Sequence, residues 1–253
     1  QTLIQLVKQV AGAKFKLPGC SIQDWPSGQL RVLHWDTKHH QDRIKTLKRY
    51  IDWSARFKIN YIGFELEDKF AYPSHPEIGA PGAFTPEQLQ ELVDYALKRH
   101  IQIMPQIQAP AHMAYVLKHP EFKHLRADPE SNYQACMCDE ETYELIFDMY
   151  RDVMDATQGV DYFHVSTDEV YYAGVCNKCD KPYNPKNRSL KWVEYVNRTH
   201  RFMQKHDRRM LLWLEFPVWP EHVSQLPPNI IDAIGPYGYQ PGRMSFAVRN
   251  DYL

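Results

Sequence analysis

From about residue 30 onward, short apolar, β-prone runs alternate with longer segments whose apolar residues recur every three or four positions. Runs of the first kind predict buried strands, and the second spacing is typical of amphipathic helices. The predicted strands are Leu30–Trp35, Tyr61–Leu66, Ile101–Ile107, Tyr162–Val165, Met210–Leu214 and Ile230–Ile234. The predicted helices are Gln41–Phe57, Pro86–His100, Glu141–Ala156 and Lys191–His206. This alternating order predicts parallel strands joined by right-handed helical crossovers.

The first 30 residues differ from this rhythm. Thr2–Val10 has the spacing of a short amphipathic helix, and a Pro-Gly pair and an extended stretch follow it. We therefore expect residues 1–30 to be the end of a preceding small α+β domain plus a linker. Residues 31–253 would form the main domain.

Two architectures fit the alternating order, an open doubly wound sheet and a (β/α)8 TIM-type barrel. No glycine-rich loop follows the first strand, which argues against a nucleotide-binding open sheet. Polar residues instead follow five different strands, as they do around the carboxyl-terminal rim of a barrel. These residues are Asp36, His39, Glu67, Asp68, His112, Asp168, Glu169 and Glu215. The sequence thus favours the barrel.

The length of the chain limits how much of a barrel it can form. Each predicted unit takes about 34 residues, so eight units would need roughly 270, within the usual range. The 253-residue chain has fewer than this after its first 30 residues. We expect about six of the eight units and a barrel that this chain does not close.

Composition excludes some classes of function. The formal net charge of −1 argues against a nucleic-acid partner, which requires a basic surface. No run of eighteen apolar residues is present, so no membrane span is expected. The chain begins at Gln1 without a leader pattern, which indicates a processed chain or a fragment and leaves its compartment unpredicted.

The five cysteines leave several interpretations open. Cys20 stands alone, whereas Cys136 and Cys138 form one close pair and Cys176 and Cys179 form another. Four thiolates with these spacings could hold a zinc ion. Free thiols or a loop disulfide are the alternatives, and we expect no cofactor.

Asp168 and Glu169 are the strongest candidates for chemistry. Adjacent residues on a regular strand point to opposite faces, so both carboxylates can reach one site only where the strand ends. Two carboxylates held close together titrate differently, and glycosidases use this difference to obtain one charge stabiliser and one proton donor. A solvated strand end or a helix cap is the structural alternative.

Several segments resemble glycoside hydrolase family 20, the β-N-acetylhexosaminidases. The stretch from His164 to Glu169 is similar to the family's His-x-Gly-Gly-Asp-Glu motif. The other similar segments, in the family's order, are Arg31–His39, Lys58–Asn60, Pro105–His112 and the Trp213-x-Glu215 pair.

The resemblance implies an exo-acting, retaining and substrate-assisted glycosidase, in which the 2-acetamido group of the substrate is the nucleophile. Asp168 would orient that group and stabilise the oxazolinium intermediate, while Glu169 would transfer the protons. Arg31 would hold sugar hydroxyls, and Trp213 would line the acetamide pocket beside Glu215. Structural alternatives are a rim salt bridge for Arg31 and barrel core for Trp213.

The remaining candidates act through other residues. We expect His112 and His164 to hydrogen-bond the carboxylates, and Asp36 to orient Arg31 or to cap a helix. The partner would be a glycan with a terminal N-acetylhexosamine, and the resemblance suggests a periplasmic or secreted location.

The chain departs from the family pattern at four of these positions. Ser166, Thr167 and Ala111 replace glycines, and Gln106 replaces a glutamate. A β-branched Thr does not readily adopt a positive φ, so the carboxylates would be displaced if the motif requires that conformation. A non-catalytic glycan-binding relative is therefore the second hypothesis, and a zinc-dependent hydrolase is a third, weaker one.

Overall fold

A computed structural model describes residues 2–10, 19–179 and 184–233 of the chain. Six parallel strands form one sheet in sequential order, with each strand beside the next one along the chain. This arrangement confirms the predicted β/α order and is that of a partial (β/α) barrel. The strands are β1 (Val32–Trp35), β2 (Tyr61–Glu65), β3 (Gln102–Gln106), β4 (Tyr162–His164), β5 (Arg209–Leu212) and β6 (Ile231–Asp232).

The helices fall close to the predicted segments, with α1 (Thr2–Val10) at the amino terminus. Between the strands lie α2 (Ile44–Arg56), α3 (Pro86–Leu97), the short α4 (Ala114–Leu117), α5 (Glu140–Asp155) and α6 (Pro185–Lys205). The remaining short elements are 3₁₀ turns at Glu67–Lys69, Pro120–Leu125 and Pro220–Gln225.

Capping residues set two of these boundaries. A capping box starts α3, because the amide of Gln88 donates to Thr85 Oγ1 at 3.3 Å and the Gln88 side chain accepts from Thr85 N at 3.1 Å. α6 begins six residues before the predicted start at Lys191. Asn184 caps this earlier turn by accepting from Asn187 N at 3.0 Å. The prediction from apolar periodicity began the helix too late, because the residues of its first turn are mostly polar.

The two faces of the sheet have different roles. Residues on the outer face pack against the helices, as where Tyr150 of α5 meets Phe163 of β4 with ring centroids 4.9 Å apart. Burial of each such side chain contributes about 1.5–3 kcal/mol to stability. The outward-facing core residues of the strands include Ile62, Phe64, Ile103, Phe163 and Leu212, all at most 1% exposed.

The inner face carries the alternate residues of the same strands, as the two-residue strand period requires. They line a cavity of about 750 Å³, apolar at the amino ends of the strands around Met104, Tyr162 and Leu211. Towards the carboxyl ends the lining changes to His164 and Trp213. The sheet thus carries its polar inward-facing groups near the edge where the candidate site lies.

The amino-terminal segment touches the barrel at several points. Gln5 of α1 donates to the carbonyl of Arg56 at 2.6 Å, and Asp24 pairs with Lys58 at 2.5 Å. The assignment of residues 1–30 to a preceding small domain remains a prediction.

None of the helices in the described ranges has the length and apolar composition of a membrane span. Ile234 and the residues after it lie outside the described ranges, so the last predicted strand is described only in part.

Candidate active site

Asp168 and Glu169 lie in the loop after β4, and both carboxylates reach the same histidine. His112 Nε2 is 3.2 Å from Asp168 Oδ2 and 3.3 Å from Glu169 Oε2. The Asp168 side chain is sheltered, at 15% exposed, whereas that of Glu169 is 40% exposed. One carboxylate is therefore held inside the site, and the other is open to an incoming molecule.

An unusual backbone makes this convergence possible. Ser166, Thr167 and Glu169 have φ values of 64°, 70° and 47°, and His112 has a φ of 55°. These four are half of the eight non-glycine residues with positive φ among the described part of the chain. Such strain persists only where surrounding contacts impose it, and it is concentrated at functional sites.

The positive φ angles answer the question raised by the missing glycines. Ser166 and Thr167 adopt the left-handed conformation in spite of their side chains, and hydrogen bonds hold them there. Thr167 Oγ1 donates to the carbonyl of Trp213 at 2.9 Å, and Ser166 Oγ donates to the side-chain oxygen of Gln108. Ser166 Oγ also accepts from the amide of Asp168 at 3.3 Å. The two hydroxyl groups thus link the strained turn to the segments that follow β3 and β5.

We expect Thr167→Gly to be more stable than Thr167→Ala by about 1 kcal/mol, because only glycine adopts this φ without a Cβ penalty. Both variants lose the hydroxyl group, so their difference isolates the backbone term. Urea unfolding measures it. At Thr142, inside helix α5, the order should reverse, with alanine the more stable by about 1 kcal/mol. Greater stability of alanine at both positions would contradict the assigned strain.

His112 joins the pair to a tyrosine from another loop. Tyr133 Oη lies 3.1 Å from His112 Nε2, and it donates to the carbonyl of Glu169 at 3.1 Å. Its distance to Glu169 Oε2 is 3.5 Å. Sequence reasoning missed Tyr133, because it lies in a loop where no periodicity or known motif marks it.

Electrostatics favour an ion pair between His112 and Asp168. Burial acts against the charged form of each group, but their mutual hydrogen bond and charge outweigh it. The pKa of His112 is therefore raised and that of Asp168 is lowered. A hydrogen bond with Glu169 raises the pKa of Tyr171 to about 12, and burial near Glu169 raises the pKa of Tyr133.

These shifts predict a pH-dependent contribution to stability. A raised His112 pKa stabilises the fold below the unfolded value of about 6.5, and this is lost as pH rises through the folded pKa. A lowered Asp168 pKa stabilises the fold above about 3.9, and this is lost at more acidic pH. We expect the excess stability of the wild type over His112→Phe to be larger at about pH 5.5 than at about pH 8.5.

Urea unfolding at the two pH values tests this expectation. In Asp168→Asn, His112 has lost its partner, so replacing His112 by Phe in that variant should change the pH dependence of stability less than it does in the wild type. Identical pH dependence in the wild type and in both variants would contradict the ion pair.

Glu215 and Trp213 reach the site from the loop after β5. Glu215 Oε1 accepts from the amide of Glu169 at 3.2 Å, and a side-chain hydrogen bond with Glu215 also lowers the pKa of Asp168. The Trp213 ring lies 4.6 Å from that of His164 on the inner face, and the Trp213 carbonyl accepts from Thr167 Oγ1 at 2.9 Å. Glu215 therefore contacts the pair directly, and Trp213 is joined to the residue that precedes it.

His164 differs from the expectation that it would hydrogen-bond a carboxylate. Its Nδ1 accepts from the amide of Ser166 at 3.0 Å, because the sharp turn after β4 brings that amide back over the ring. Burial lowers the His164 pKa to about 3, so the ring is neutral near pH 7. His164 thus supports the backbone turn and does not pair with Asp168 or Glu169.

Arg31 and Asp36 are also placed differently from the expectation. The Arg31 guanidinium donates to the carbonyls of Lys58 and Gly28 at 2.6 and 2.8 Å, before β1 begins. It therefore lies at the opposite end of the sheet from Asp168. Asp36 pairs with Lys38 at 3.2 Å and does not orient Arg31 or cap α2, whose N-cap is Arg43.

A buried carboxylate below the pair was not among the predicted site residues. Glu65 is fully buried at the end of β2, where Lys38 Nζ lies 2.9 Å from its Oε1 and Gln108 Nε2 donates to it at 2.8 Å. Gln108 links this cluster to the turn that carries the pair, because its side-chain oxygen accepts from Ser166 Oγ. A charged residue within the apolar run from Tyr61 to Leu66 was the available signal in the sequence.

Glu67 is a second acid near this cluster. Burial, and then the charge of Glu65, raise its pKa to about 7. Its φ of 41° is also positive. Glu67 is therefore a competing candidate for a proton donor at neutral pH.

The cysteine pairs come together at the same end of the sheet. Cys136 bonds to Cys176 and Cys138 bonds to Cys179, while Cys20 is free and exposed. Loop disulfides were one of the alternatives left open by the spacing. These bonds link the loop that carries Tyr133 to the loop that follows Glu169.

Residues 29–231 match the family model described as "Glycosyl hydrolase family 20, catalytic domain". Hexosaminidase D of Bos taurus is 31% identical over 146 residues, which are 57% of this chain and 42% of that protein. A beta-hexosaminidase of Porphyromonas gingivalis is 26% identical over 251 residues, covering 85% of this chain and 32% of that protein.

Solved structures of similar fold include a family 20 β-N-acetylhexosaminidase from Streptomyces coelicolor A3(2), with a TM-score of 0.67 and 19% identity. The matched region covers 89% of the present chain and 46% of the Streptomyces coelicolor chain. A mutant Streptomyces plicatus β-hexosaminidase in complex with its product GlcNAc has a TM-score of 0.68 at 20% identity, covering 88% and 46%. The present chain spans less than half the length of each of these relatives.

Proposed function

The chain belongs to glycosyl hydrolase family 20, and on that premise we propose that it carries the catalytic pair of a retaining exo-β-N-acetylhexosaminidase. The convergence of Asp168 and Glu169 on His112 is the observation that carries the proposal. The relatives named as hexosaminidases and the GlcNAc-bound Streptomyces plicatus structure support terminal N-acetylhexosamine as the substrate class.

The two carboxylates have different tasks in the proposed reaction. Asp168 is sheltered and is held ionised by His112, so it can accept the substrate's acetamide N–H and offset the positive charge of the oxazolinium. The acetamide oxygen attacks the anomeric carbon while the bond to the leaving oxygen breaks. No enzyme nucleophile is then required.

Glu169 transfers the protons. Its side chain is more exposed than that of Asp168, as required of a group that meets a leaving sugar and then water. It donates a proton to the leaving oxygen and later removes one from the water that opens the oxazolinium. Tyr133 and Glu215 position it, because they bond its carbonyl and its amide, respectively.

The surroundings of the pair suggest where each sugar binds. The inward-facing Trp213 and His164 rings provide an apolar wall below Asp168 for the acetamide methyl. Lys38 takes the hydroxyl-binding role first expected of Arg31, because it is partly exposed and follows β1 at the carboxyl edge of the sheet, whereas Arg31 precedes β1. Tyr171 and Phe216 are exposed and 5.7 Å apart beside Glu169, which suits the face of a leaving sugar.

The proposal is tested with two aryl β-glycosides that differ only at C2. The protein should hydrolyse the 2-acetamido compound with retention of configuration, and should not measurably hydrolyse the 2-hydroxy compound, which lacks the internal nucleophile. Binding of N-acetylhexosamine without hydrolysis would instead favour the non-catalytic relative. That hypothesis loses part of its motivation here, because Ser166 and Thr167 adopt positive φ values in spite of their side chains, and both carboxylates reach His112.

A further inference from the structure

Four cysteines from two loops form a compact sulfur cluster beside the candidate site. Cys136 and Cys138 lie between β3 and α5, and Cys176 and Cys179 lie between β4 and α6. All four Sγ atoms are within 4.8 Å of one another. In the described ranges this is the one group of three or more potential metal ligands that meets this distance.

The local backbone directs both pairs to one point. The amide of Cys179 donates to the carbonyl of Cys176 at 3.0 Å, closing a tight turn that leaves their sulfurs 3.2 Å apart although they are not bonded to each other. A second turn joins Asp139 N to the Cys136 carbonyl at 3.4 Å. In a tetrahedral zinc site with Zn–S bonds of 2.3 Å, neighbouring sulfurs are about 3.8 Å apart.

The spacing of the cysteines brings all four sulfurs to one place. Each loop carries its two cysteines within a few residues, so two bridges between the loops lie side by side, as the structure has them. In the reduced state the same Cys-x-Cys and Cys-x-x-Cys segments offer four thiols at one point, which is the number and kind of ligand that a structural zinc site uses.

The surroundings are those of a closed structural site. Cys136 and Cys176 are 1% and 7% exposed, and Ala127 and Tyr172 pack against the sulfurs. Four thiolates on one Zn²⁺ leave a net charge of about −2. Lys178, inside the Cys176–Cys179 turn and paired with Asp139, supplies a nearby positive charge.

We propose that the thiol forms of Cys136, Cys138, Cys176 and Cys179 bind one Zn²⁺ as a structural site. Binding replaces four S–H protons by the metal, so four protons are released and no oxidant is involved. The two disulfides are the alternative, oxidised state of the same sulfurs and exclude the metal. This inference rests on the cysteine geometry alone and is independent of the proposed glycosidase activity.

A zinc site here would hold the candidate active site together. The side chain of Gln134 accepts from Tyr172 N at 2.8 Å, so residues next to both cysteine pairs are already joined. Tyr133, which bonds Glu169, immediately precedes Gln134. The metal would therefore stabilise the loop whose Tyr133 positions Glu169, and it would not take part in the chemistry.

The test uses protein that is purified anaerobically under a thiol-free reductant, stripped of metal and titrated with Zn²⁺. Elemental analysis should find one zinc per chain, and Co²⁺ should give the absorption bands of a tetrahedral thiolate site. Cys138→Ser and Cys179→Ser should bind zinc at least about a hundredfold more weakly. Cys20→Ser, which removes the exposed cysteine outside the cluster, should bind as the wild type does.

The wild-type cobalt spectrum needs no substitution, so the test does not depend on how well the serine variants fold. Failure of the reduced wild type to take up zinc, or equal weakening in Cys20→Ser, would overturn the proposal. None of these readouts depends on glycoside hydrolysis.

Discussion

Replacing Glu169 by Gln should lower kcat for an aryl β-N-acetylglucosaminide by at least about a hundredfold, the size expected for loss of acid–base catalysis. Gln has nearly the same shape and keeps a hydrogen-bonding side chain, but it cannot transfer a proton. The loss should be larger for a disaccharide than for a nitrophenyl glycoside, because the sugar leaving group needs protonation more. Steady-state kinetics on both substrates measure this difference.

Two other glutamates provide a matched control and a test of the competing proton donor. Glu144→Gln changes an exposed glutamate on α5 and should leave kcat unchanged. Glu67→Gln tests the acid whose pKa is raised to about 7. If Glu67→Gln produced the hundredfold loss and Glu169→Gln did not, the proton donor would be Glu67 and the assignment of Glu169 would be wrong.

Replacing Asp168 by Asn should also lower kcat by at least about a hundredfold, for an electrostatic reason. Asn cannot offset the positive charge of the oxazolinium, and its amide group can present a donor where the acetamide N–H needs an acceptor. The charge on His112 would also lose its partner at 3.2 Å. Kinetics on the 2-acetamido substrate measure the loss, and Asp155→Asn on the exposed face of α5 is the matched control.

Azide distinguishes the proposed role of Asp168 from that of a nucleophile. Asp168→Gly should not regain activity with azide, because the substrate's own acetamide oxygen still occupies the attacking position. Formation of a glycosyl azide of inverted configuration would show that azide replaces a missing carboxylate nucleophile. That product would contradict the substrate-assisted mechanism while leaving the family assignment intact.

The distribution of strain supports a functional interpretation of this loop. Ser166, Thr167 and Glu169 all have positive φ within four residues, and His112 across the site does too. The hydroxyl groups that replace the family glycines bond to Gln108 and Trp213 on neighbouring elements. These hydrogen bonds hold the turn in its positive-φ conformation in spite of the backbone strain.

Much of this protein could be predicted from local patterns. Apolar periodicity placed the six strands and four main helices, because burial on one face leaves a period of two or 3.6 in the sequence. The cap at Thr85 was recognisable, because its partners are three residues apart. Asp168 and Glu169 were identifiable because a short motif surrounds them, and their place after β4 followed from the strand itself.

Tertiary structure alone decided which side chains meet at the pair. Tyr133 comes from a loop 36 residues before Glu169, so no spacing rule could bring it to the site. Conversely, Arg31 is the first residue of a matching motif. One strand length nevertheless separates it from the pair, because it precedes β1 whereas the pair follows β4. The sequence by itself determined the elements and the acids, since these depend on neighbours along the chain. The partners of those acids depend on the contacts between loops, which only the folded barrel sets.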